Sequence, residues 1–186
     1  MPKASKFMVG KLLLDGGNLK GSYFHRTVVL ICQHDEQGAF GLVLNRPSKN
    51  KVEDVIETTL PPRLESLPLY VGGPVQANAL SYLHTDVYVP HANVMQNMNL
   101  GHSLEGLVEL GESYSTTQKV RVFAGYAGWS PGQLEDELKR ESWLIHPASL
   151  ELVFETLPDE VWRVIMRQKG WQERLLADGP EDLSWN

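Results

Sequence analysis

The chain has 186 residues, with 17 basic and 23 acidic side chains and a formal net charge of −6. That length suits one domain that buries its own core, and the acidic balance works against holding a phosphate backbone. A single cysteine, Cys32, excludes an intrachain disulfide and a cysteine-rich zinc site.

The charge is uneven, with a basic first third and an acidic remainder. No apolar signal region follows Met1-Pro2-Lys3-Ala4-Ser5-Lys6, and Leu12-Leu13-Leu14 is too short to be one. The longest wholly apolar run, Val28 to Cys32, is far from a membrane span. Cytoplasmic residence is therefore expected, as a single domain over residues 1–186 with a loosely held tail at 178–186.

Thr27 to Cys32 is β-branched and apolar, which predicts a strand buried on both faces. His34-Asp35-Glu36-Gln37-Gly38 is polar and predicts a hairpin loop into a second strand, Ala39 to Leu44. Asn45-Arg46-Pro47 should end that strand, because proline cannot donate to a ladder. Asn50 and Glu53 make a capping-box pattern, so a helix carrying Val52, Val55 and Ile56 is expected before Pro61-Pro62. Leu69 to Val71 predicts a short strand closed by Gly72-Gly73-Pro74, and Ala79 to His84 another strand. Residues 85–118 carry little pattern beyond a short helix near Leu104–Leu110.

Lys119 to Ala124 predicts a strand with Val120, Val122 and Ala124 on one face and Arg121 and Phe123 on the other. Gly125 to Gly132 reads as the strand end and a glycine-rich turn. A helix follows, with Ser130 as N-cap, Pro131 first and Gln133 completing a capping box. Glu135–Lys139 and Asp136–Arg140 are favourable i,i+4 pairs, and Leu134 and Leu138 face inward. Pro147 to Glu155 and Pro158 to Lys169 predict two further helices, the second ending at Gly170. Hairpin-like strands early and helices late favour an α+β fold with a largely antiparallel sheet.

Gly128-Trp129-Ser130-Pro131-Gly132 matches the G-x-S-x-G nucleophile elbow between a strand and a helix. Pro131 removes the backbone N–H that the oxyanion would need, and a capping Ser130 has its oxygen engaged. A structural turn is the better reading. The six histidines show no metal-ligand spacing; His84 and His91 on a hairpin would still lack a third ligand. Cys32, on an apolar strand, reads as a buried and poorly reactive thiol. Trp129 is the tryptophan expected to be partly exposed and to form a pocket wall. No cofactor motif stands anywhere in the chain.

Three ordered segments resemble one family. They are Phe24 to Ile31 with His34 and Gly38 to Pro47; Gly72-Gly73-Pro74-Val75 with Leu83-His84; and Gly125 to Trp129 with Gly132 to Glu135, Glu137 and Trp143. They are similar to the AlgH/YqgE family of bacterial proteins, over about Gly10 to Trp171. Asp15-Gly16-Gly17 and Gly21 depart from the family's pattern, which puts the role of its usual aspartate before the phenylalanine in question. The resemblance implies an α+β fold with a small closed or bifurcated sheet flanked by helices. Family members have no agreed activity, and some carry a transcriptional-regulator label without a DNA-binding motif.

The leading expectation is a binding or regulatory module for a small anionic ligand or a protein partner, rather than an enzyme. The expected site is Asn45, Arg46, His84, Trp129, Gln133 and Glu137. Asn45, Gln133 and His84 would supply hydrogen bonds, Arg46 charge and Trp129 an apolar wall. The rivals are a hydrolase, with His34 or His84 as base and Glu137 as acid, and a DNA-associated regulator.

Overall fold

The structure, a computed structural model, describes residues 7–86, 92–113, 115 and 117–179. The predicted tail at 178–186 therefore lies almost wholly outside the described residues.

The centre of the molecule follows from alternation. β1 (Lys11–Asp15), β2 (Val28–Asp35) and β3 (Gly38–Val43) form an antiparallel meander. Leu12, Leu14, Val28, Leu30, Cys32, Leu42 and Leu44 enter one core cluster, while Leu13, Val29, Ile31 and Val43 enter another. A period of two thus sends successive side chains to opposite faces. Both faces are covered, which is why these strands read as continuous apolar runs. The β2–β3 hairpin turns on Glu36-Gln37, with Asp35 opposite Gly38.

β4 (Pro47–Lys51), β5 (Pro68–Val71), β6 (Val75–Thr85), β7 (Met98–Gly101), β8 (Val120–Trp129) and β9 (Trp143–Pro147) complete a nine-stranded sheet. Its main path runs β4-β5-β8-β3-β2-β1-β9, and β6 with β7 leaves that path at β8. The fold is α+β and largely antiparallel, with only β5 and β8 parallel. The sheet is larger than expected. It is not closed; it forks at β8, whose first half pairs with β5 and β6 and whose end pairs with β3.

The glycine motifs make that fork possible. A Cβ on Gly73 would collide with the backbone of Tyr126 and Ala127. One on Gly125, at φ +72°, would meet Gly73 O at 2.6 Å. The β5–β6 turn thus crosses β8 backbone to backbone, which a side chain on either residue would prevent.

Among the described residues, six α-helices flank the sheet. α1 (Pro62–Glu65) and α2 (Leu104–Glu112) pack on β5, β6 and β8 through Leu64, Leu107 and Val122. α3 (Gln133–Lys139) covers the second cluster through Leu134. α4 (Leu150–Phe154), α5 (Val161–Arg167) and α6 (Trp171–Asp178) cover the first cluster through Val153, Val161, Trp162, Ile165 and Ala177. β9 ends the strand order. The ammonium of Lys169, between α5 and α6, donates to Ile145 O of β9 at 2.9 Å.

Several expectations need correction. The helix expected from Asn50 is a strand, β4, followed by a single 3-10 turn at Val52–Asp54. Pairing with β5 captures residues 47–51, and the Lys51 N–H then closes on the Asp54 carboxylate at 2.7 Å. Val52 and Ile56 pack on the cluster under β5 and β8, whereas Val55 is exposed. Gly125 to Trp129 is strand rather than turn. The N-cap of α3 is Gly132, at φ 77°, not Ser130. Half of the expected capping box survives, because Gln133 Oε1 accepts the Ser130 N–H at 3.0 Å. Lys139 pairs with Asp136 at i,i+3 rather than with Glu135. Gly170 begins α6 instead of ending α5.

Candidate functional site

The six expected site residues fall into three places. Trp129, Gln133 and Glu137 form one network where β8 hands the chain to α3. Trp129 Nε1 and Trp143 Nε1 donate to the same Glu137 oxygen, Oε2, at 2.9 and 2.8 Å. Gln133 Nε2 donates to Oε1 at 2.9 Å. The two indoles meet edge to face, with centroids 6.2 Å apart. Trp129 is 6% exposed, which corrects the expectation of a partly exposed pocket wall. Both Glu137 oxygens accept hydrogen bonds, and neither His34 nor His84 is placed against this carboxylate. His34 instead accepts the Met8 N–H on Nδ1 at 3.0 Å, and its Nε2 lies 3.3 Å from Glu135.

His84 stands elsewhere, on β6 opposite Val120 at the start of β8, whereas Trp129 is at the far end of β8. Nine residues of strand separate those registers by roughly 30 Å. One small-ligand pocket cannot include both. Burial pulls His84 below the ordinary histidine value, partly offset by Asp86 and a backbone hydrogen bond at Thr85. Its expected neighbour His91 lies outside the described residues.

Asn45 and Arg46 make the third place, and here the structure adds residues. Asp15 is fully buried and ends β1. Its Oδ1 accepts the N–H of Gly17 and Leu19 at 2.8 and 3.1 Å, and its Oδ2 accepts the Arg26 N–H at 2.8 Å. This one carboxylate folds the loop between β1 and β2. Asn45 closes the loop from the other side: Oδ1 accepts the Val28 N–H at 2.9 Å and Nδ2 donates to Arg26 O at 2.8 Å. Arg26 is thereby held at φ 52°, a conformation that non-glycine residues rarely adopt. Such outliers persist only where surrounding bonds over-determine them.

The loop turns its basic groups to one cavity. Arg26 donates to Leu176 O and Gly179 O at 3.3 and 3.0 Å, with its guanidinium 5.0 Å from the Trp162 ring. Arg46 donates to Tyr23 O and His25 O at 3.0 and 3.2 Å and lies 5.4 Å from the Tyr23 ring. His25 Nδ1 is 3.3 Å from Asp15. His25, Arg26, Asn45, Arg46, Trp162 and Arg163 line a cavity of about 310 Å³ together with Pro158 and Asp159. That volume lies at the lower end of the range of ligand pockets. Three arginines and a histidine face a single lining carboxylate, and Trp162 supplies a flat apolar wall.

His25, Arg26, Trp162 and Arg163 were not among the expected residues. The signals were present: a basic first third, and an arginine flanking each strand of the apolar hairpin. What was missing was the packing of α5 on that loop, where Trp162 Nε1 donates to Asp15 O at 3.0 Å.

Comparison with known proteins joins this geometry to a family. The AlgH-like family model matches residues 12–174. The chain belongs to the AlgH-like family. It is 35% identical over 181 residues to a UPF0301 protein of Chlorobium phaeobacteroides, covering 95% of this chain and 94% of that one. It is 39% identical over 175 residues to a UPF0301 protein of Chlorobaculum parvum, covering 92% of each. Among solved structures, the AlgH protein of Pseudomonas aeruginosa is similar at a TM-score of 0.75 and 27% identity, covering 97% and 98% of the two chains. A Corynebacterium diphtheriae protein shares the fold at a TM-score of 0.75 and 24% identity. These names assign no activity.

Within this AlgH-like chain no group of three His, Cys, Asp or Glu side chains among the described residues is placed to hold a metal ion. No described helix is long and apolar enough to cross a membrane. Cys32 is 1% exposed, and burial pushes its thiol far above the ordinary value.

Proposed function

We propose that this AlgH-like chain is a binding module for a small anion, held in the cavity lined by His25, Arg26, Asn45, Arg46 and Arg163. The supporting observation is the convergence of Arg46, Arg26, Arg163 and His25 on one cavity of ligand size. A guanidinium carries five donors in a planar fork. The bonds that Arg46 makes to the backbone carbonyls of Tyr23 and His25 fix its plane and leave further N–H groups on it for a phosphate or carboxylate. The strained Arg26 backbone and the Asp15 and Asn45 anchors fit a preorganised site.

The deciding experiment is a stability screen with inorganic phosphate, sugar phosphates, di- and tricarboxylates and matched neutral sugars at constant ionic strength. A ligand at 100 times its Kd adds about 2.7 kcal/mol to unfolding free energy. Stabilisation by an anion that Arg46→Ala removes supports the reading. Equal response to neutral analogues, or an unchanged response in Arg46→Ala, sinks it.

A further inference from the structure

A second cationic site is independent of that cavity and shares no lining residue with it. Arg121, near the start of β8, is 8% exposed. Its guanidinium lies 4.5 Å from the centre of the Tyr70 ring, and Nη1 donates to Leu44 O at 3.2 Å. No described carboxylate makes an ion pair with it. A guanidinium keeps its charge in proteins. A ring face and one neutral carbonyl only partly offset the loss of hydration. Burial indeed pulls Arg121 below the usual arginine value, with Tyr70 as the compensating neighbour. Buried charges of this kind are ordinarily matched by an opposite charge.

The space for one is adjacent. Leu67, Tyr70, Lys119, Arg121 and Phe154 line a cavity of about 240 Å³. Its cations are one buried fork and one exposed ammonium, its walls are aliphatic and aromatic, and no acidic side chain lines it. The apolar walls disfavour a phosphate, which would bring more charge than one fork neutralises. The volume is below that of a drug-sized ligand site. We propose that this cavity binds a small monocarboxylate with an apolar or aromatic body. The carboxylate is received by the Arg121 fork, Lys119 stands beside it, and the body packs on Tyr70, Leu67 and Phe154. Arg121 is preorganised for the role, since the ring and the Leu44 carbonyl fix its plane while most of its donors remain for a bidentate partner.

The test uses benzoate and its neutral isostere benzamide, titrated into isotopically labelled full-length protein and followed by NMR of the backbone amides and the Arg121 Nε–H. Saturable benzoate shifts confined to residues near 67–70, 119–121 and 154 are expected, with benzamide weaker by about tenfold or more. Arg121→Gln should lose that discrimination, and Lys119→Glu should weaken benzoate while changing the free protein's amide spectrum only around residue 119 and its neighbour Thr85. If Arg121→Gln does not fold, Lys119→Glu and the benzamide comparison still decide. Equal binding of benzoate and benzamide, the absence of saturable shifts at millimolar benzoate, or shifts centred on His25 and Arg46 would each overturn the proposal. The last outcome would leave the anion reading of the other cavity standing.

Discussion

The β1–β2 loop with Asn45 and Arg46, and the turn at Trp129–Glu137, are both polar networks built around one carboxylate, yet they differ in what they border. At the turn, two indole N–H groups and a Gln133 amide converge on Glu137 and consume both oxygens. At the loop, Asp15 consumes backbone N–H groups, and the basic side chains it positions are left facing a cavity. A network that closes on itself holds a fold together. A network that borders a cavity lined by basic side chains is where a ligand can be held. The sequence segment richest in signature residues turns out to be the closed one.

Four outcomes would break or sharpen that contrast. The largest effect is expected for Asp15→Ala, which strands three part-buried backbone N–H groups of the β1–β2 loop. A loss of about 4 kcal/mol in urea unfolding is expected, together with loss of any anion-induced stabilisation. Asp15→Asn, which keeps one acceptor, should recover part of both. If Asp15→Ala leaves anion binding intact, the loop does not organise the cavity.

Glu137→Ala comes next, at about 3 kcal/mol, because two buried indoles lose their acceptor. Near-UV circular dichroism should report the freed tryptophans, and anion response should stay unchanged. Loss of that response would mean that the two networks are coupled.

Arg163→Ala should weaken anion binding about tenfold, or about 1.4 kcal/mol, and added salt should shrink the difference for a partly open site. Calorimetry at two ionic strengths measures it.

The smallest effect concerns His84, which belongs to neither network. Its folded-state value is depressed by burial, so the unfolded chain binds the extra proton first. Stability from this group is complete above about pH 6.5 and is lost as pH falls below that toward the folded value. His146 is depressed too, by burial and then Lys169, and acts in the same direction. His84→Gln should flatten the pH dependence of urea midpoints below about pH 6.5 without touching anion binding.

Legibility in the sequence followed the length scale of the interaction. The β2–β3 hairpin, β5, the start of β8 and the buried face of α5 were readable because a local period decides them. The faces of β8 were assigned as found, with Val122 in one cluster and Phe123 in another. Ser103 caps α2 and Ser149 caps α4 by side-chain acceptance, two caps the sequence reading did not assign. β4 was missed because pairing with β5 overrode a good capping pattern at Asn50. β7 and β9 were missed because Met98–Gly101 and Trp143–Pro147 have little β-branched character and depend on β6 and β1 for their shape. Of the site, Asn45 and Arg46 were legible as polar residues at a strand end. Arg26, Trp162 and Arg163 required knowing that α5 lies over the β1–β2 loop. Trp129 misled for a physical reason: beside glycines it reads as exposed, but Gly125 serves the backbone crossing and the indole is buried against Trp143.

The Lys169–Ile145 bond has a consequence for life at high concentration. A sheet whose last strand offers bare backbone is an invitation to add another strand, from another copy or from a misfolded neighbour. On β9 the ammonium occupies a carbonyl at mid-strand, and Pro147 has no N–H to give at its end. Polymerisation through this margin would have to displace a charge and tolerate a gap in the ladder, so Lys169 acts as a guard against fibre growth as well as a tether between helix and sheet.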